Sequence, residues 1–156
     1  MKKVTLHLGA DHRGFELKNQ LLEWLKLQNK LVFEVKDHGA YELDPDDDYP
    51  DFAFAVGEAV VTEPGSLGVV ICGSSVGVTV AANKVKGVRA ASACQEFEVV
   101  HGRERDGLNV LTLAADKLDF KQAKQLVLIF IQTEPTYEPR FVRRIKKIEN
   151  YERRSL

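Results

Sequence analysis

Apolar and polar residues change period repeatedly along the chain, and the changes mark out its elements. In "KKVTLHLGA" Val4, Leu6 and Leu8 alternate with polar positions until Gly9 and Ala10 break the run, which predicts a strand. "DHRGFELKNQLLEWLKLQNK" follows with Phe15, Leu21, Leu22 and Leu25 at helical spacing, and Asp11 or His12 stands near the N-terminus of that helix. "LVFEV" reads as a short strand. The polar stretch "KDHGAYELDPDDDYP", with two prolines and five aspartates, reads as a long loop of the kind that carries function. "DFAFAVGEAVVTE" is a helix with Ala and Val on one face, and "LGVVIC" a buried strand. "SVGVTVAANKV" is a helix introduced by a glycine turn, "GVRAASA" a strand, "QEFEVVHGRERDG" a helix running into a turn, and "LNVLTLA" a strand. "DFKQAKQLVLIFIQT" and "PRFVRRIKKIENYERR" are two closing helices.

Alternating strands and helices imply right-handed crossovers and a parallel sheet covered on both faces. The expected architecture is α/β: a single doubly wound, Rossmann-like three-layer sandwich of about five parallel strands with a C-terminal helix. The 156 residues suit one domain, taken as 1–156, with no linker, repeat or low-complexity segment. Ligands in such sheets sit at the carboxyl ends of the strands, near the point where strand order reverses.

Composition narrows the function. Charged residues are 29% of the chain and the formal net charge is -1, so nucleic acid is not an expected partner. No apolar run approaches the length of a membrane span, and "MKKVTLHLGADHRG" lacks the apolar core of a signal peptide. The two cysteines, Cys72 and Cys94, are read as reduced thiols of a cytoplasmic protein. The histidines, cysteines and aspartates match no metal-site spacing, so neither metal nor cofactor is expected.

Three strand ends and the tail carry the candidate chemistry. Asp11 and His12 arrive together after the first strand. The pair can transfer protons or hold an anion, or Asp11 can be a plain N-cap and His12 a surface residue. In "CGSSVG" a thiol at a strand end precedes a turn in which Gly73 and Gly77 free the backbone N–H groups to face inward. Such a turn binds phosphate or stabilises an enediolate, with Ser74 and Ser75 adding hydroxyls; Cys72 is then a base or nucleophile, or otherwise a small buried hydrophobe. The loop is neither a Walker loop nor a dinucleotide fingerprint. Before the fifth strand, Arg103, Arg105 and Asp106 form a polar turn. His7 fits a hydrogen-bonded sheet position and His101 a helix surface. Arg140 and Arg144 share one face of the last helix, suited to a phosphate dianion or to a solvated basic surface.

These words together resemble the B-type ribose-5-phosphate isomerases and the related galactose-6-phosphate isomerase subunits. The resemblance rests on "GADHRGFELK", "DYPDFA", "VVICGSSVGVTVAANKVKGVRAA", "NVLTL" and "PRFVRRIKKIE", in that order over nearly the whole chain. It implies a Rossmann-like homodimer or tetramer with active sites between subunits, acting on a small-molecule sugar phosphate without cofactor. It further implies aldose–ketose interconversion through a cis-enediolate. Cys72 matches the base that moves a proton between C1 and C2. Gly73, Ser74, Ser75, Val76 and Gly77 match the anion hole, with Ser74 at its hydroxyl-bearing position. Asp11 and His12 match the substrate-binding pair, and Arg140 and Arg144 the phosphate-holding arginines. Some relatives place a glutamate base at the position of Val78, so Cys72 is the candidate here.

The chain departs from that pattern at four places. Arg105 stands where many relatives have the histidine that assists ring opening, and Asp106 where they have asparagine. Ser75 replaces a glycine, and Asp116 an arginine. Arginine stays protonated and is a poor general acid, so either Asp106 or His12 takes over ring opening, or the substrate arrives open, or the activity is weak. The expected function is interconversion of ribose 5-phosphate and ribulose 5-phosphate. The alternatives are a six-carbon sugar-phosphate isomerase of the galactose or allose 6-phosphate type, and a non-catalytic sugar-phosphate-binding subunit.

Overall fold

The computed structural model describes residues 3–30 and 32–154. Lys2 and Leu31, placed by the sequence pattern in the first two strands, lie outside them.

Five parallel strands form one sheet: β1 (Val4–Ala10), β2 (Val32–Asp37), β3 (Leu67–Cys72), β4 (Ala90–Ser92) and β5 (Val110–Ala114), in the order β2-β1-β3-β5-β4. The helices are α1 (Phe15–Lys26), α2 (Tyr49–Thr62), α3 (Val76–Ala82), α4 (Glu96–Asp106), α5 (Phe120–Gln132) and α6 (Pro139–Arg154). The chain lays β2 on one side of β1 and then crosses to β3 on the other. Strand order therefore reverses between β1 and β3, where the crevice of a doubly wound sheet opens.

Strand alternation sends side chains to two cores. Leu6, Leu8, Val69, Ile71, Leu111 and Leu113 meet α1, α4 and α5 on one face. Val70, Cys72 and Val110 meet α2 and α3 on the other. All of these are buried, as a parallel sheet with both faces covered requires. Glycine lets α2 come close: a Cβ at Gly68 would lie 2.7 Å from Val56, and one at Gly9 would lie 2.8 Å from it. α6 packs beside α4 and is the most amphipathic in pattern; Phe141 is its buried side chain.

At four elements the boundaries differ most from those read off the sequence. "DHRG" is a turn, so α1 begins at Phe15. α2 begins at Tyr49, two residues early, with Pro50 in its first turn, where a missing N–H costs nothing. α3 is confined to Val76–Ala82 because Ser75, at φ 67°, is left-handed and ends the turn before it. β4 has three residues rather than seven, because it is an edge strand paired only with β5.

Candidate active site

Cys72 is the last residue of β3 and pairs in register with Ala114, the last of β5. It faces the α2–α3 side and is 4% exposed. The turn after it curls back, so that the Ser75 amide donates to Sγ at 3.2 Å. Ser75 achieves this in the left-handed region, which costs a non-glycine residue about 1 kcal/mol. Its hydroxyl shares a hydrogen bond with Ser92 Oγ at 2.6 Å and reaches the Ser74 carbonyl at 2.5 Å. Ser74 itself is exposed, its Oγ accepting from the Val76 amide at 3.4 Å.

At 73 and 77 the bare glycine backbone lets side chains from other elements lie against the turn. A Cβ at Gly73 would stand 2.2 Å from Cζ of Arg13, and one at Gly77 2.7 Å from Cζ of Tyr49. The turn is thus roofed by a guanidinium from the first loop and an aromatic ring from the start of α2.

The first loop leans on β3. The Asp11 amide donates to the Ile71 carbonyl at 3.2 Å, and a Cβ at Gly14 would lie 2.6 Å from that same oxygen. Asp11 is 5% exposed; its Oδ1 accepts from the amides of Arg13 and Gly14, each at 3.0 Å. Burial pushes its carboxyl above the usual aspartate range, against the pull of those two amides. So Asp11 organises the loop by an Asx-type turn, and His12 projects from it. Asp47 Oδ1 takes the His12 amide at 2.9 Å and lies 2.7 Å from Nδ1. That carboxylate raises the imidazole above its ordinary value, while desolvation opposes it. His12 is thereby fixed in orientation and biased toward the charged form, with Nε2 left to act elsewhere.

The strand end of β5 closes the crevice. The amides of Ala115 and Asp116 donate to the carbonyls of Cys72 and Gly73, at 2.9 and 3.0 Å. The Asp116 carboxylate then pairs with Nη2 of Arg13.

The remaining candidates stand at the other end of the sheet. Arg105 and Asp106 close α4, and Gly107 turns the chain into the N-terminal end of β5. The Gly68–Val110 pair marks that end and Cys72–Ala114 the other, four residues apart, or about 13 Å of strand. α6 lies along this same edge: Glu149 pairs with Arg89 just before β4, and Glu152 accepts from the Gly87 amide. Phe141 is flanked by Arg105 at 5.7 Å and Arg140 at 4.8 Å. Arg140 also donates to Glu138 at 2.9 Å, and Arg144 is exposed. One chain therefore brings together Asp11, His12, Cys72, Gly73, Ser74, Ser75, Val76 and Gly77. It does not bring Arg105, Asp106, Arg140 or Arg144 to them.

Four residues of the assembled site escape sequence reasoning: Arg13, Asp47, Tyr49 and Ser92. Tyr49 and Asp47 lie in the long acidic loop suspected of function, and Arg13 abuts the Asp11–His12 pair; nothing in the sequence marks Ser92. Among the described residues no group of histidine, cysteine and carboxylate side chains is arranged to hold a metal. No described helix is long and apolar enough to cross a membrane.

A switch-point crevice with a thiol, a glycine turn and a carboxylate-backed imidazole is the candidate site of an enzyme of the doubly wound α/β class. Comparison with known proteins makes the assignment specific. The Ribose/Galactose Isomerase family matches residues 6–148, and the chain belongs to that family. Its curated relatives include the probable ribose-5-phosphate isomerase B of Mycoplasma pneumoniae, 40% identical over 149 residues and covering 95% of each chain. The ribose-5-phosphate isomerase B of Mycobacterium tuberculosis is 37% identical over 153 residues, 98% of this chain and 93% of that one. Among solved structures, ribose-5-phosphate isomerase B of Mycoplasma genitalium with bound ribulose-5-phosphate superimposes with a TM-score of 0.90 at 36% identity, covering 99% of this chain and 100% of that one. The chain is an isomerase of the aldose–ketose type, as the family and these relatives are.

Proposed function

We propose that the protein interconverts ribose 5-phosphate and ribulose 5-phosphate, with Cys72 as the base. The observation that carries this reading is the Ser75 amide, 3.2 Å from Sγ, on a turn opened by Gly73 and Gly77. The relatives named for ribose 5-phosphate supply the substrate.

His12, charged through Asp47, donates its proton to the ring oxygen while the anomeric hydroxyl gives its proton to water, and the sugar opens to the aldehyde. The Cys72 thiolate then takes the proton from C2 of the aldose, and the electron pair moves to make a C1–C2 double bond. The C1 carbonyl becomes an enediolate oxygen, held by amides of the 73–77 turn. Return of the proton from Cys72 to C1, with transfer of the O2 proton to O1, gives the ketose. The net change moves one proton from C2 to C1 and one from O2 to O1, and consumes no oxidant or reductant.

A second copy completes the site. Arg140 and Arg144 lie at the sheet edge remote from Cys72, so a homodimer that places them against its neighbour's crevice provides the phosphate grip and brings the Arg105–Asp106 corner with them. Val76 and Val80 of α3 and Phe97 of α4 are exposed, 56% or more each, and supply an apolar surface for that contact. Loss of glycine at 75 and the acidic residue at 116 favour the six-carbon reading; the ratio of kcat/KM for ribose 5-phosphate and allose 6-phosphate decides between them.

The test is a coupled assay on ribose 5-phosphate with a chelator present, with Cys72→Ser alongside. Turnover that falls by about three orders of magnitude in the variant supports the base assignment. Equal turnover in both removes Cys72 from the chemistry.

A further inference from the structure

Arg13 is a half-exposed arginine whose guanidinium is nevertheless placed. It packs on Gly73, one residue past the thiol, and its Nη2 pairs with Asp116, whose own amide is anchored to the Gly73 carbonyl. Three strand ends thus converge on one cation: the loop after β1 supplies it, the turn after β3 supports it, and the end of β5 neutralises it.

The other cations of the first loop and helix have fixed partners. His12 is engaged by Asp47 and Lys18 is sequestered by Asp37, while the α6 arginines stand at the far edge of the sheet. Arg13 is therefore the guanidinium that this chain itself delivers to the cysteine turn. Its partner is exchangeable: Arg13 is 53% exposed and Asp116 46%, and ion pairs this wet are weak. Burial also orders the crevice. The thiol is 4% exposed and the guanidinium lies out at the rim, so a substrate reacting at the sulfur carries its charged tail outward, past Arg13. A guanidinium fork matches phosphate oxygens in two-pronged geometry, and a dianion outcompetes a single exposed carboxylate.

We propose that Arg13 grips the phosphate of the sugar phosphate, releasing Asp116 as the substrate enters, so that the Arg13–Asp116 pair sets substrate affinity. This rests on the sugar-phosphate reading of the same site.

The experiment compares the full-length wild type with Arg13→Ala, Arg13→Lys and Asp116→Asn, measuring kcat, KM for ribose 5-phosphate, and inhibition by inorganic phosphate. Arg13→Ala is expected to raise both KM and the phosphate inhibition constant about tenfold or more, with kcat changed by less than about threefold. Arg13→Lys falls between, because lysine keeps the charge and loses the fork. Asp116→Asn lowers KM about two- to threefold, since the guanidinium no longer has a carboxylate to leave. The proposal is overturned if Arg13→Ala leaves KM and phosphate inhibition within about twofold of wild type, or if it lowers kcat alone. Should the wild type fail to turn over ribose 5-phosphate, the substrate assignment fails separately. Calorimetric titration of wild type and Arg13→Ala with inorganic phosphate then judges Arg13: weaker binding by about tenfold supports it, and equal binding overturns it.

Discussion

Lys18 is fully buried, and its Nζ donates to both carboxylate oxygens of Asp37 at 2.7 Å. The pair ties the first turns of α1 to the carboxyl end of β2, directly behind the first loop of the site. Asp37 Oδ1 also accepts from the Gly39 amide at 3.0 Å, so the carboxylate holds the corner after β2 as well. Cutting Asp37 back to alanine strands an ammonium without its partner. The expected cost is about 3 kcal/mol, while Lys18→Met, which removes the charge and keeps the volume, costs about 1 kcal/mol. Urea unfolding of the two variants measures the difference. Equal losses would mean that the pair contributes shape rather than charge compensation.

Ser75 combines a left-handed backbone with a hydroxyl bound to Ser92. Ser75→Gly removes both the strain and the hydrogen bond, and the two effects of about 1 kcal/mol each offset. Ser75→Ala keeps the strain and loses the bond. The expected order of thermal midpoints is therefore wild type and Ser75→Gly close together, with Ser75→Ala lower by several degrees, about 1 kcal/mol.

His7 and His38 share a hydrogen bond, Nδ1 to Nε2 at 2.9 Å, that needs one donor and one acceptor. Burial lowers both imidazoles below 6.5; for His7, His38 and Lys36 add to this, and Glu63 and Glu34 oppose it. A folded-state pKa below the unfolded value means that the unfolded chain binds more protons between the two. Their contribution is therefore complete above about pH 6.5 and is lost as pH falls toward the folded values. Urea midpoints should fall between about pH 7 and pH 5, and more steeply in wild type than in His7→Gln. Parallel profiles would assign the acid sensitivity elsewhere.

Asp47 acts on His12 in the opposite direction, raising it. If His12 protonates the ring oxygen, the rate falls on the alkaline side as it loses its proton. Asp47→Asn removes the carboxylate that favours the charged ring, so this alkaline limb of kcat/KM should move to lower pH. Thermal stability should change little, because His12 is partly exposed. An unmoved limb would separate His12 from the titration.

The sequence pattern carried the sheet well, for a physical reason. β3 and β5 are near-continuous apolar runs because both their faces are covered, β1 shows itself by alternation, and each ends in the small or special residues that open the crevice. The pattern placed Cys72 and its glycine turn at a strand end, but left the thiol open between a base and a small buried hydrophobe; its role came only from the family resemblance. β4 was overdrawn because "GVRAASA" carries strand-like residues where only Ala90, Ala91 and Ser92 find a partner strand. The "YP" that opens α2 read as loop because proline ends helices more often than it lies in their first turn. Arg13 and Asp116 are 103 residues apart, and no local pattern joins them. Nor could spacing along α6 tell that Arg140 and Arg144, which share a face, stand at the end of the sheet remote from their own chain's thiol.

The bare backbone at Gly9 and Gly68 seats Val56 of α2 directly on the sheet. Tyr49, whose ring lies on Gly77, begins the same helix seven residues earlier, about 10 Å along its axis. α2 is therefore a lever with its fulcrum in the core and its working end over the cysteine turn. A methyl group added at Gly68 would press on Val56 and so on α2, which ties the roof over Cys72 to a buried residue far from the turn.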